Sequence, residues 1–148
     1  VLYENLKKMY ARCFAPCRPN CVWLINQDVE PTLDDLAKNI GTAGVEPYFV
    51  AYRPDGVQTI KGKPVIVTEH CQSVGTVGDI ILADLSQYLI IDKGGIQVVP
   101  SIHVYFTTDE MAFRFVYRVN GGCWWDSALT PAHGTNTQSC FLTLATRA

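Results

Sequence analysis

The chain has 148 residues, with 12 Lys+Arg against 14 Asp+Glu for a formal net charge of −2. At roughly 150 residues per domain this predicts one domain, 1–148, with a core large enough to need no staples. The near-neutral balance argues against a dedicated nucleic-acid or anionic-membrane binder, which carries a basic stripe. A charged fraction of only 18% against 48% hydrophobic residues fits either a well-packed apolar domain or a surface partly covered by a partner.

Leu2, Leu6, Met9, Tyr10 and Cys13 recur at the spacing of one face of an amphipathic helix. Lys7, Lys8 and Arg12 take the wet side, and Pro16 and Pro19 end the helix. Cys21 to Ile25 is short, apolar and partly β-branched, the pattern of a strand buried on both faces. Thr32 then offers an N-cap, Asp34 and Asp35 favourable first-turn charge, and Gly41 a C-terminal cap, predicting a helix over 32–40.

From there the texture is strands and turns. Strands are predicted at Tyr48–Tyr52, Val57–Ile60, Lys63–Val67, Asp79–Asp84, Tyr88–Ile91 and Ile96–Phe106. Arg53-Pro54-Asp55-Gly56 is a turn, with Pro fixing φ and Gly accepting a positive one. Met111, Phe113, Phe115, Tyr117 and Val119 alternate with Arg114 and Arg118 as one strand, ended by Asn120-Gly121. A polar loop follows over about 126–139, then a last strand from Cys140 to Ala145. Two early helices and many strands without βαβ alternation make the class α+β, built on a mixed β-sheet.

No apolar run approaches the ~20 residues of a membrane-spanning helix. A start at Val1, directly in a helical pattern, is read as a piece of a longer protein. Six cysteines in a chain of this size without a secretory pattern predict free thiols rather than a disulfide framework.

Candidate chemistry is sparse. Cys13-x₃-Cys17-x₃-Cys21 has thiols close enough for zinc or an iron–sulfur cluster, but not the x₂ spacing those sites favour. It reads instead as two core thiols, Cys13 and Cys21, and one loop thiol, Cys17. Glu69-His70-Cys71 puts a base beside a nucleophile on paper, yet neighbours on a strand point to opposite faces. His103 lies in a predicted strand, His133 in the polar loop, and the carboxylates Asp28, Glu30, Asp79, Asp84, Asp109 and Glu110 are scattered. No glycine-rich phosphate loop is present. Of Trp124-Trp125, one is expected in the core and the other at a surface or interface. The residues therefore assign no catalytic, cofactor-binding or metal site. A cysteine nucleophile at Cys71 or Cys123, or a binding module anchored on Trp124-Trp125, stays open as an alternative.

Four stretches in order resemble one family. Val77-Gly78-Asp79-Ile80-Ile81-Leu82-Ala83-Asp84-Leu85-Ser86-Gln87-Tyr88 is similar to the "GD…(G/A)D.SQY" segment of tailed-phage major capsid proteins of the Hong Kong 97 type. Cys21 to Asn26 resembles the "WLIN" strand of that family, and Lys61 to Val65 its "L.G.PV" turn and strand. Thr107 to Gly121, closing with Phe141 to Arg147, resembles the C-terminal end of those subunits.

The resemblance implies the C-terminal part of such a subunit. Residues of about 1–130 would be axial-domain-like, and 138–148 a strand returning toward a peripheral domain. It implies a structural, non-enzymatic protein of the virion that self-assembles into pentamers and hexamers around packaged DNA. Partners would be copies of itself, with scaffolding, protease or portal proteins, non-specific contact with DNA and no membrane; host cytoplasm precedes assembly. Gly41 to Glu46 and Arg53 to Gly56 are the loops expected near the symmetry axis. No residue is assigned to an inter-subunit cross-link.

Overall fold

In the computed structural model, residues 3–38 and 50–146 are described. They fall into two compact units, one of Val1–Gln87 with Trp125–Ala148 and a smaller one of Tyr88–Trp124. The mixed α+β composition matches the sequence reading.

The larger unit is a six-stranded sheet with helices against one face. Its strands are β1 (Val22–Ile25), β2 (Val50–Tyr52), β3 (Gln58–Ile60), β4 (Lys63–Val67), β5 (Ile80–Ala83) and β10 (Phe141–Thr143). They lie in the order β10-β5-β1-β4-β3-β2. Only β1–β4 is parallel among these pairings. Phe141–Thr143, within the segment expected to return elsewhere, is thus β10 and pairs with β5 inside this sheet.

Register explains the core. Trp23 stands opposite Val65 on one side and Leu82 on the other, and Leu82 opposite Leu142. Ile25 stands opposite Ile80. Trp23, Ile25, Ile80 and Leu82 are buried in one cluster with Leu6 and Met9 of α1 (Tyr3–Arg12) and with Val29 and Leu33. The other face of β1, expected to be buried as well, is only half covered: Val22 and Leu24 are intermediate, and Ile66 opposite Leu24 is exposed. With helices on one side, the strand alternates after all.

The start of the second helix differs from the prediction. A 3₁₀ turn, Gln27–Val29, comes first, and α2 (Glu30–Lys38) begins two residues before Thr32. Asn26 is the cap, its Oδ1 accepting the Asp28 N–H at 3.0 Å. Pro31 then sits in the first turn, where its missing N–H costs no helical bond. The expected cap Gly41 lies outside the described residues.

Two turns meet expectation. Gly56 has φ +82° and its N–H donates to the Arg53 carbonyl at 2.9 Å. Lys61 and Gly62, with φ +51° and +73°, join β3 to β4 through the paired positive φ values that suit hairpin twist. The proline-rich stretch Ala15–Asn20, expected merely to end the first helix, is a 3₁₀ helix.

The smaller unit holds two antiparallel ribbons. One pairs β6 (Tyr88–Asp92) with β9 (Val119–Cys123), the other β7 (Gln97–Tyr105) with β8 (Glu110–Val116). The predicted single strand Met111–Val119 is therefore two strands, broken at Tyr117-Arg118. Asn120-Gly121, expected to end a strand, lies inside β9, opposite Ile91 and Ile90. Gly121 is tolerated there because it packs under an aromatic: a Cβ at this position would meet the Tyr88 ring at 2.6 Å.

Candidate functional site

The chemical candidates are scattered or sealed. Cys71 is buried, while His70 is exposed and its N–H turns back to Thr68 Oγ1. Burial, then the charge of Asp79, raises the Cys71 thiol above its usual range, which is the wrong direction for a nucleophile. Cys123 is exposed, and no hydrogen bond joins a histidine side chain to a cysteine among the described residues. His103 and His133 are exposed. Among the described residues no group of three or more His, Cys, Asp or Glu is arranged to hold a metal ion.

The three N-terminal cysteines correct the reading in one respect. Cys17 is buried like Cys13 and Cys21, and it forms a disulfide with Cys140, 123 residues away. The proline-bearing 3₁₀ helix turns Cys17 inward, and Cys140, the residue before the edge strand β10, meets it. Free thiols were the expectation from chain size and the lack of a secretory pattern, and the closeness of Cys140 to Cys17 depends on the tertiary fold alone. Cys13 and Cys21 stay thiols, their sulfurs 3.3 Å apart. Burial, then the hydrogen bond with Cys13, pushes Cys21 up to about 12.

Two carboxylates that the sequence left unexplained have structural work. Asp79 and Asp84 are buried at opposite ends of β5. Asp79 Oδ2 accepts the Gly75 N–H at 3.0 Å. Asp84 Oδ1 accepts both the backbone N–H and the hydroxyl of Ser86, at 3.0 and 2.6 Å. Each carboxylate fixes the turn that enters or leaves the strand. The signal was present in Asp84-Leu85-Ser86, an Asp with a hydroxyl two residues on at a strand end.

Asp34, read as first-turn charge, lies in the second turn of α2 and accepts the Tyr52 hydroxyl at 3.2 Å. Partial desolvation, then this contact, raises the Tyr52 phenol. Of the two loops expected near an axis, Arg53 to Gly56 is exposed beside this contact, and Gly41 to Glu46 lies outside the described residues.

Among the described residues the most extensive feature is exposed apolar surface. In the smaller unit, Val98 stands opposite Phe115 and Pro100 opposite Phe113, so all four share one face of the β7–β8 ribbon. Phe113 is 57% and Phe115 67% exposed, and Met111 next along β8 is also open. Across the ribbon, Arg114 stands opposite Val99 on the second face. The alternation read from the sequence is real, but its large apolar face is left exposed by the described residues. Ile90 and Ile91 of β6 are exposed too, beside a shallow hollow of about 310 Å³ lined by Leu89, Ile91 and Trp124. A two-stranded ribbon is marginal by itself in water, and an open apolar face of this kind marks an interaction surface.

Trp124 and Trp125 are both exposed, at 65% and 41%, where one was expected in the core. The boundary between the two units falls between them, so neither strand nor sheet packing draws one inward. Trp125 Nε1 donates to Gln87 Oε1 at 3.3 Å. A second groove, of about 570 Å³, runs between α1 and the C-terminal strand in the larger unit, lined by Asn5, Met9, Arg12, Leu142 and Leu144.

Comparison with known proteins agrees with a surface-driven role. A family model described as the phage capsid family matches residues 1–133. A solved structure, the capsid of an empty GTA particle computed with C5 symmetry, is similar with a TM-score of 0.55 at 18% identity. The similarity covers 80% of this chain and 40% of that one, so the chain matches only part of that protein's length. No curated relative matches.

Proposed function

The chain belongs to the phage capsid family, and from that premise we propose that it is the C-terminal, mainly axial part of a Hong Kong 97-type major capsid subunit that closes into pentamers and hexamers around packaged DNA. In this reading residues of about 1–130 are the axial-domain-like portion. The family supports a structural role and a place in the virion, and the finer assignments rest on this reading. Scaffolding, protease or portal proteins would be its other partners, host cytoplasm its place before assembly, and DNA contact would be non-specific.

One observation supports the reading above the others: the ribbon face of Val98, Pro100, Phe113 and Phe115 is apolar, broad and open. A shell accumulates many modest contacts by symmetry, and it needs this kind of surface rather than a pocket. The net charge of −2 fits a wall that does not grip its contents.

The test uses the full-length parent protein, expressed and imaged by electron microscopy with and without Phe113→Asp. The expected result is closed shells or five- and six-fold rings for the parent, and soluble protein without shells for the variant. Normal shells from the variant would remove the ribbon face from the assembly contacts. A parent that stays monomeric even with its scaffolding partner would count against the capsid assignment itself.

A further inference from the structure

The cysteines of the larger unit come in two couples at one place. Cys17 and Cys140 are bridged, their Cα atoms 5.9 Å apart, inside the usual span for a disulfide. Cys13 and Cys21 are thiols with sulfurs 3.3 Å apart, and they are 0% and 1% exposed. All four belong to the same buried cluster. Backbone bonds hold the couples together: Phe14 N–H donates to the Ser139 carbonyl, and Ser139 N–H to the Arg12 carbonyl, both at 3.1 Å. Apart from each other, the Cys13 sulfur has as hydrogen-bond partner only the carbonyl of its neighbour Phe14, at 3.8 Å, and Cys21 has no further side-chain hydrogen bond among the described residues.

A thiol pair at that separation needs roughly one ångström of approach to reach the ~2.05 Å of an S–S bond. We propose that Cys13 and Cys21 are an oxidation site, the second disulfide of the oxidised subunit. The turn from α1 to β1 would then be stapled twice, Cys13 to Cys21 across its ends and Cys17 to Cys140, the residue before the edge strand β10. The oxidant is a small-molecule disulfide such as oxidised glutathione. One S–S bond forms between the cysteines as the two S–H bonds and the glutathione S–S bond break. The cysteines are oxidised, glutathione is reduced, and the two protons leave on two glutathione thiols.

Burial sets the timing. A thiol sealed in an apolar cluster and disfavoured as thiolate is a poor attacker in the folded chain. The bond therefore forms while the α1–β1 turn is still closing, in an oxidising setting, and once formed it resists reduction for the same reason. The chemistry stands whether or not the chain builds a shell.

The test is intact mass of the chain with Cys17→Ser and Cys140→Ser, produced in an oxidising cytoplasm and compared with the same protein after denaturing reduction. The expected result is a mass lower by two hydrogens in the oxidised form. Adding Cys13→Ser should abolish that difference, which excludes Cys71 and Cys123 as the bonded pair. In the unsubstituted chain the difference should be four hydrogens, with iodoacetamide labelling confined to Cys71 and Cys123 after non-reducing denaturation. A difference of two hydrogens in the unsubstituted chain, with Cys13 and Cys21 both labelled, would overturn the proposal. So would a link from Cys13 or Cys21 to any other cysteine.

Discussion

Trp23 shows how one side chain organises the larger unit. Its ring fills the centre of the core, and its Nε1 donates at 3.1 Å to the Ile60 carbonyl, reaching past β4 to tie β1 to β3. Trp23→Phe keeps most of the apolar volume and loses that bond, leaving a buried carbonyl short of a partner. The expected cost is about 1–3 kcal/mol, against roughly 3–5 for Trp23→Ala, which adds a cavity. Urea midpoints of the three proteins, at unchanged slope, would measure both. Equal stability of Trp23→Phe and the parent sequence would show that packing alone fixes the sheet here. The buried Asp79 and Asp84 make the complementary point. The sequence leaves them unexplained among scattered carboxylates, and in the structure both hold turn backbone.

At the scale of elements, Asn26 joins two of them. Its Oδ1 caps the turn into α2, and its Nδ2 donates at 2.8 Å to the Cys71 carbonyl in the loop after β4. Asn26→Ala should cost about 1–2 kcal/mol by thermal or chemical unfolding. Asn26→Asp keeps the cap but sets a carboxylate against the Cys71 carbonyl, so it should not restore stability. Full rescue by Asp would mean that the cap is the whole effect. The same residues show what local pattern conveys. The first helix, β3, β4 and the Arg53–Gly56 turn were legible because periodicity and turn chemistry act within a few residues. The early start of α2 was missed because Thr32 is a good cap in isolation and Asn26 wins through a distant loop. The Cys17–Cys140 bridge was illegible for a stronger reason: nothing near Cys17 in sequence announces a partner 123 residues away. The break at Tyr117-Arg118 was hidden by an unbroken alternation. The open ribbon face was visible as a pattern, but alternation alone does not say whether its apolar side meets a core, a solvent or another subunit.

At the scale of the whole chain the two units divide the labour. The larger unit has a buried core under a six-stranded sheet, a disulfide and helices on one face. The smaller has two ribbons whose large side chains stand open on both. A ribbon that buries little gains little against the entropy of ordering it, so its hydrogen bonds should open locally without unfolding the rest. In the isolated chain, amides of β7 and β8 should exchange with deuterium on the order of 100-fold faster than those of β1 and β5. If the ribbon is where subunits meet, the same amides in shells of the full-length protein should slow to the rate of the core strands, because covering Phe113 and Phe115 removes the open state from reach. Ribbon protection equal to that of β1 in the isolated chain would mean that the smaller unit is already stable and has no need of a partner. Slow exchange in the unassembled full-length subunit would instead place the cover within one polypeptide, and the contacts between subunits elsewhere.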